Sequence, residues 1–404
     1  MITVASRESS NFRPAWASRR VIVAGAAAVV LALGGGTAAA LTTHHSAANA
    51  AGKNAGSATA RLAAASCTGP AGAAYVAVAG YQAFDAVDTA NCKLIQQYNV
   101  GDRLVPGTGT TDTNYDSTDE GVAISGDTLY FADTGNDTVA VINAANLQVS
   151  NYENPAETLI HVGINPMSLA VAPGGKQVWV ADTGPQTGLP SLGGISVIST
   201  ATNTVTSTLK LPTDPREIAF SPSGATAYVT TAKGLYVIDT ATLKVVTVIG
   251  GLGDPEGVAV SPDGKTVYTT NTVQGLVDVI SAATSHVTST IKVGQLPWQL
   301  VLSADGKTIY VADGDSNAIS VISTASGTVT STISDPGDPV SLALTPDGSQ
   351  LWAGALTSGT VSVFKTADGS LVGTFSVGYG GAANSGDGDE PTGIVLTSTP
   401  PVGA

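Results

Sequence analysis

The chain is poor in charge. Asp, Glu, Lys and Arg make up only 12% of its 404 residues. Long charged side chains clothe exposed helix faces, so their scarcity argues against a helical fold. Lys and Arg are scarcest, 17 against 31 Asp and Glu, which excludes the basic patches that phosphate backbones and anionic membranes require. Four histidines are present, and only His161 and His286 lie beyond the N-terminal region. They sit too far apart in the pattern to share a metal ion. The two cysteines, Cys67 and Cys92, follow no zinc or haem spacing. No Gly-x-Ser-x-Gly elbow, phosphate-binding Gly-x-x-x-x-Gly-Lys loop or dinucleotide fingerprint occurs.

What remains is rich in Val, Thr, Ser and Ala with 47 glycines. β-Branched residues with abundant turn-formers favour short strands and tight turns.

The N-terminus reads as an export address. A polar, mildly basic stretch ends in Ser18-Arg19-Arg20, and Val21 to Ala40 contains only Val, Ile, Ala, Leu, Gly and one Thr. Basic, apolar and small segments in that order mark residues 1–40 as a signal peptide or an uncleaved signal anchor. The run is long enough to span a bilayer, and its basic flank would stay inside. Ser18-Arg19-Arg20-Val21-Ile22-Val23 resembles the twin-arginine export motif; the general secretory route also fits. Residues 41–66 are Ala/Gly/Ser-rich and read as a linker. The protein is expected to be extracytoplasmic, secreted or attached to the cell surface. In that setting Cys67 and Cys92 are expected to form one disulfide, the alternative being two free thiols.

Without the first 66 residues, 11 basic residues face 30 acidic ones, a balance of −19. Such a body is expected to be soluble and to attract cations or basic partners.

From about residue 117 one pattern recurs: a proline-led short strand, a Ser-Pro-Asp-Gly-type turn, an aromatic-led strand, a loop, an Ile-Ser-Val-Ile-type strand, an Ala-Thr turn and a Thr/Val-rich strand. Its turns are Ala172-Pro173-Gly174-Gly175, Ser221-Pro222-Ser223-Gly224, Ser261-Pro262-Asp263-Gly264, Ser303-Ala304-Asp305-Gly306 and Thr345-Pro346-Asp347-Gly348. Their final glycines are 49, 40, 42 and 42 residues apart, the period of a four-stranded propeller blade. Six units begin near 117, 165, 214, 254, 296 and 338. Residues 75–100 hold three strands without a first one, and Glu390-Pro391-Thr392-Gly393-Ile394-Val395-Leu396 is a first strand without a blade. Joined, they make a seventh blade and remove the open sheet edges. The fold predicted is all-β: a seven-bladed β-propeller of four-stranded antiparallel blades over 67–399, with a tail at 400–404.

The second strands carry Tyr268-Thr269-Thr270-Asn271, Tyr228-Val229-Thr230-Thr231, Tyr310-Val311-Ala312-Asp313 and Trp179-Val180-Ala181-Asp182. These resemble the Tyr-Val-Thr-Asn repeat of the YVTN propellers. The resemblance covers about residues 75–396 and implies the fold strongly, but function weakly, since that family spans surface proteins, binding proteins and relatives of several enzymes.

In a propeller the first strands line a channel, and their starts share a face with the loops after the second strands. Ligand-binding candidates on that face are Asp214, Arg216, Glu217, Asp254, Glu256, Trp298, Asp313, Asp338 and Glu390. Asp214, Asp254, Asp338 and Glu390 are also candidate ligands for Ca²⁺ or another divalent cation, since hard cations take oxygen donors. Against this, Asp before Pro also shapes a turn, repeated because the blade repeats. Asp313-Gly314-Asp315-Ser316-Asn317 has the outline of a calcium loop but lacks its glycine and closing glutamate; a structured turn is the reading preferred. The insert Gly184 to Gly194 reaches the same face.

Three functions fit these features. The first is a non-enzymatic exported propeller, expected to be a monomer, binding a protein or small ligand through its acidic loop face, with no nucleic acid and with membrane contact only through an uncleaved anchor. The second is a metal-dependent hydrolase resembling the lactonase-type propellers. The third is a redox relative of the quinoprotein kind, which the few aromatic and basic residues disfavour.

Overall fold

The computed structural model describes residues 72–79, 83–99, 121–144, 158–185, 192–377 and 390–398. The expected signal segment, linker and tail, Cys67, and the middle of the 184–194 insert lie outside these residues. The chain divides into Met1–Arg61 and Leu62–Ala404, and every described residue belongs to the second unit.

The described residues form seven four-stranded antiparallel sheets. Blades two to seven open with first strands Val122–Ser125, Pro166–Val171, Pro215–Phe220, Val258–Val260, Pro297–Leu302 and Pro339–Leu344. Blade one is composite, as expected. Its first strand is Glu390–Thr397, followed by Ala73–Ala79, Ala83–Asp88 and Lys93–Asn99. Ala73 pairs with Thr397, Val76 with Ile394 and Ala79 with Glu390. Two short 3-10 helices, Thr134–Asn136 and Gly314–Ser316, follow the second strands of blades two and six.

Burial follows strand position. Second strands such as Gln177–Asp182 and Thr308–Asp313 are buried from their second residue onward. They are covered on both faces, which explains their near-continuous apolar sequence. The outermost strands, such as Thr204–Lys210, are mostly exposed and carry alternating Thr and Ser.

The core lies between blades rather than within them. Blade five packs Tyr268, Val277 and Ile291 against Leu300, Ile309, Val311 and Ile322 of blade six. Blade seven packs Trp352, Val361 and Val363 against Ala74, Val76, Val78 and Val87 of blade one. Tyr75 and Phe84 of blade one then meet Leu129 and Phe131 of blade two. These last two interfaces close the ring, each burying apolar area worth about 1.5–3 kcal/mol per large side chain.

The Ser-Pro-Asp-Gly turns behave as their chemistry predicts. Asp263 Oδ1 accepts from Ser261 Oγ at 2.6 Å and from the Lys265 amide at 3.0 Å. Gly264 takes φ +71° and donates its amide to the Ser261 carbonyl at 2.8 Å. Only glycine adopts that conformation without strain.

Candidate functional site

The first strands of blades four and five bring four candidates together. Pro215 directs the chain inward, and Arg216 follows at once. Its guanidinium lies 3.5 Å from Asp214, 2.9 Å from Asp254, and in direct contact with Glu256. Arg216 and Glu256 are largely covered, while the Asp214 and Asp254 side chains keep 30% and 39% of their surface exposed. Burial alone would lower the arginine pKa, but the charges of Glu256, Asp254 and Asp214 outweigh it and raise the value. The cluster is one cation among three carboxylates, a local excess of two negative charges open to solvent on its aspartate side.

Thr230 fixes the backbones beneath this cluster. Its hydroxyl donates to the Glu256 carbonyl at 2.7 Å and accepts from the Glu217 amide at 3.0 Å. Glu217 itself turns away from Arg216. Its Oε2 accepts from the Val258 amide at 2.8 Å, and its Oε1 from Gln299 Nε2 at 3.0 Å. Gln299 Oε1 in turn accepts from the Leu342 amide at 2.6 Å. This chain of contacts ties the first strands of four consecutive blades, four to seven. Burial pushes the Glu217 carboxyl up to about 7 despite the bonds it accepts. Gln299 escaped the sequence reading; it occupies the place in blade six that Glu217 holds in blade four, two residues after the proline.

Trp298 and Asp338 form a separate group around the blade-six loop. An added Cβ at Gly314 would stand 2.8 Å from Trp298 Nε1 and 2.4 Å from Asp338 Oδ1. The Asp338 amide donates to Asn317 Oδ1 at 2.9 Å. The Asp313–Asn317 stretch is thus a 3-10 turn capped by left-handed Asn317, φ +50°, the turn reading preferred from the sequence. The side chain of Glu390 lies outside the described residues.

Two expectations need correcting. Asp313 does not line the mouth: it is 1% exposed, as buried as its counterparts Asp133 and Asp182 in blades two and three, at 0% and 4%. Each ends a second strand and turns into its blade. Asp182 accepts from Ser196 Oγ at 2.6 Å and from the Gly163 amide, and Asp313 from Ser320 Oγ and the Gly294 amide. Asp214 and Asp254 converge on Arg216, while Asp338 joins the blade-six loop. Finally, a divalent cation does not fit the described donors. Arg216 already occupies the point where Asp214 and Asp254 meet, and no group of three or more His, Cys, Asp or Glu among the described residues converges as a metal site would. Part of the acid pattern is conformational. Asn165, Asp254 and Asp338, each before a proline, have φ of +52°, +66° and +68°, a region that Asn and Asp tolerate better than most residues.

Cys92 is disulfide-bonded; its expected partner Cys67 lies outside the described residues. No helix among the described residues is long and apolar enough to cross a membrane.

A family model described as "Lactonase, 7-bladed beta-propeller" matches residues 196–336, which includes the Arg216 cluster, Glu217 and Gln299. No curated protein matches the chain. Among solved structures, a functionally unknown protein from Desulfotomaculum acetoxidans DSM 771 is similar at 18% identity and TM-score 0.58, covering 81% of this chain and 99% of its own. Hydrazine synthase of Kuenenia stuttgartiensis is similar at 23% identity and TM-score 0.52, covering 65% and 80%. The dihydro-heme d1 dehydrogenase NirN is similar at 16% identity and TM-score 0.54, covering 76% and 74%. At these identities the likeness is one of fold.

Proposed function

We propose that this seven-bladed propeller is an exported, non-enzymatic binding protein of the YVTN-repeat type that holds a cationic ligand at the mouth of its channel. The ligand class is a basic peptide segment or a small polyamine. The observation that carries this reading is the Arg216 cluster. One guanidinium holds three carboxylates in place, and two of them, Asp214 and Asp254, keep reachable surface. A fixed, partly desolvated carboxylate pair offers an organic cation preorganised acceptors, while the acidic body steers it inward. Calorimetric titration of the full chain with a lysine-rich peptide tests this. Saturable binding should weaken steeply with added salt and fall at least tenfold in Asp214→Asn/Asp254→Asn. Equal binding of an acidic control peptide, or indifference to the double substitution, would remove the proposal.

A second reading is hydrolysis of a lactone or ester. It rests on the family match over 196–336 and on Glu217, whose carboxyl at about 7 suits a general base at neutral pH. Turnover of a lactone by the full chain, abolished in Glu217→Gln, would favour it over simple binding.

A further inference from the structure

Blades three and six share a node where three segments meet: the end of the second strand, the third residue of the third strand, and the linker arriving from the preceding blade. In blade three Asp182 ends the second strand, Ser196 faces it, and Gly163 belongs to the linker. An added Cβ at Gly163 would stand 2.5 Å from the Asp182 carboxyl. Blade six repeats this with Asp313, Ser320 and Gly294. In blade two Asp133 meets Thr138 and Asn136.

The other blades move the acid without losing it. Blade five ends its second strand in Asn271, and Asp278 of the third strand supplies the carboxylate, 3.2 Å from Asn271 Nδ2. Blade seven ends in Ala355; here the linker contributes Asp335, which accepts from Ser362 Oγ at 2.9 Å. Blade one ends in Ala79, and Asp85 stands at the third position of its third strand, fully buried. Only blade four, with Thr231 and Tyr236, has no acid at these positions. One carboxyl therefore recurs in six blades from three different chain positions, which a repeated sequence alone does not explain.

These carboxyls are unusually placed for anions. Asp133, Asp182, Asp313 and Asp335 are at most 4% exposed, and each keeps one buried oxygen without a hydrogen-bond partner. A buried carboxylate with an unsatisfied oxygen is costly, and a proton on that oxygen removes the charge. The charged groups nearby give little help. Asp137 lies close to Asp133 and Asp182 and opposes their ionisation; Lys292 near Asp313 favours it weakly. No charged neighbour acts on Asp278 or Asp335.

We propose that these aspartates form a proton-binding ring, protonated in the folded propeller under mildly acidic conditions, whose deprotonation loosens the linkers on the site face. The linkers concerned run directly into that face. Gly163 precedes Asn165, Gly294 precedes Leu296-Pro297-Trp298, and Asp335 precedes Asp338. Burial holds Asp182 at about 7 and Asp313 and Asp335 at about 6. Folded values above the unfolded one mean that the native state binds more protons, so stability is greatest below the unfolded value near 4 and is lost as pH rises through 6 and 7.

The test is the unfolding midpoint of the full chain between pH 5 and pH 8, for wild type, Asp182→Asn, Asp313→Asn and the double variant. Asparagine already stands at this position in blade five. The wild-type midpoint should fall by on the order of 5 °C or more across the window. The variants should fall less, the double variant least, and exceed wild type at pH 8. Self-repulsion of an acidic chain would also lower the midpoint with pH, but equally in all four proteins, so superimposable profiles overturn the proposal. Should the variants not fold, infrared spectra of wild type at pH 6 decide. A protonated-carboxyl band that disappears on unfolding is expected, and its absence from the folded protein is the contrary result.

Discussion

Gly306 of blade six lies directly against Pro262 of blade five: a Cβ added to Gly306 would stand 2.8 Å from Pro262 Cδ. Each is a turn residue of its own blade. The same contact joins Gly264 to Pro222 at 3.3 Å and Gly224 to Pro173 at 3.5 Å. The Ser-Pro-Asp-Gly motif therefore does two things. It reverses the chain within one blade, and its proline and glycine stack the turns of blades three to six on one another.

That series ranks three substitutions. All three glycines have φ between +71° and +74°, so alanine costs about 1 kcal/mol of backbone strain at each. The steric cost differs. Gly306→Ala should be the most destabilising, by about 2–3 kcal/mol in all, Gly264→Ala intermediate, and Gly224→Ala close to the strain alone. Urea unfolding of the three variants checks the order.

Removing the Arg216 guanidinium leaves Asp214, Asp254 and Glu256 facing one another. Arg216→Ala should destabilise the protein by about 1–3 kcal/mol at neutral pH, after allowance for the solvent exposure of two partners. Arg216→Lys should recover only part, because one ammonium cannot reach three carboxylates in the geometry of a planar fork.

Gln299→Ala removes the acceptor of the Leu342 amide and the donor to Glu217 together. It should cost about 2–4 kcal/mol. Glu217→Gln should be milder near neutral pH, since the native carboxyl already titrates at about 7. Paired denaturation curves at pH 6 and pH 8 would show whether the milder variant gains relative stability as pH rises.

Leu296 occupies the left-handed region at φ +52°, where blade three has Asn165. Leu296→Asn should relieve strain and leave stability unchanged or raised by about 0.5–1 kcal/mol, despite the lost apolar surface. A loss above 1 kcal/mol in thermal unfolding would show that Leu296 earns its place by packing.

Much of this architecture was legible in the sequence because it is local. Glycine spacing marks the blades, turn residues announce their conformations, and the two incomplete ends fit each other. The site was legible only in part. Asp214 and Arg216 flank Pro215, and Asp254 and Glu256 flank Pro255 in the next repeat, so their convergence could be anticipated. Their pairing with one another, in place of a metal, could not. Gln299 and Glu217 meet across an intervening blade, a distance set by ring geometry rather than sequence separation. Asp313 misled because strand alternation decides which way a terminal side chain turns, and its serine partner seven residues later gives no distinctive signal.

The most direct test of the acidic mouth is the unfolding midpoint of the full chain with a lysine-rich peptide, with Ca²⁺, and with EDTA. A ligand that binds only the folded state must raise the midpoint. The peptide should raise the midpoint, Asp214→Asn/Asp254→Asn should abolish that rise, and neither Ca²⁺ nor EDTA should change it. A rise with Ca²⁺ reversed by EDTA, with none from the peptide, would contradict it.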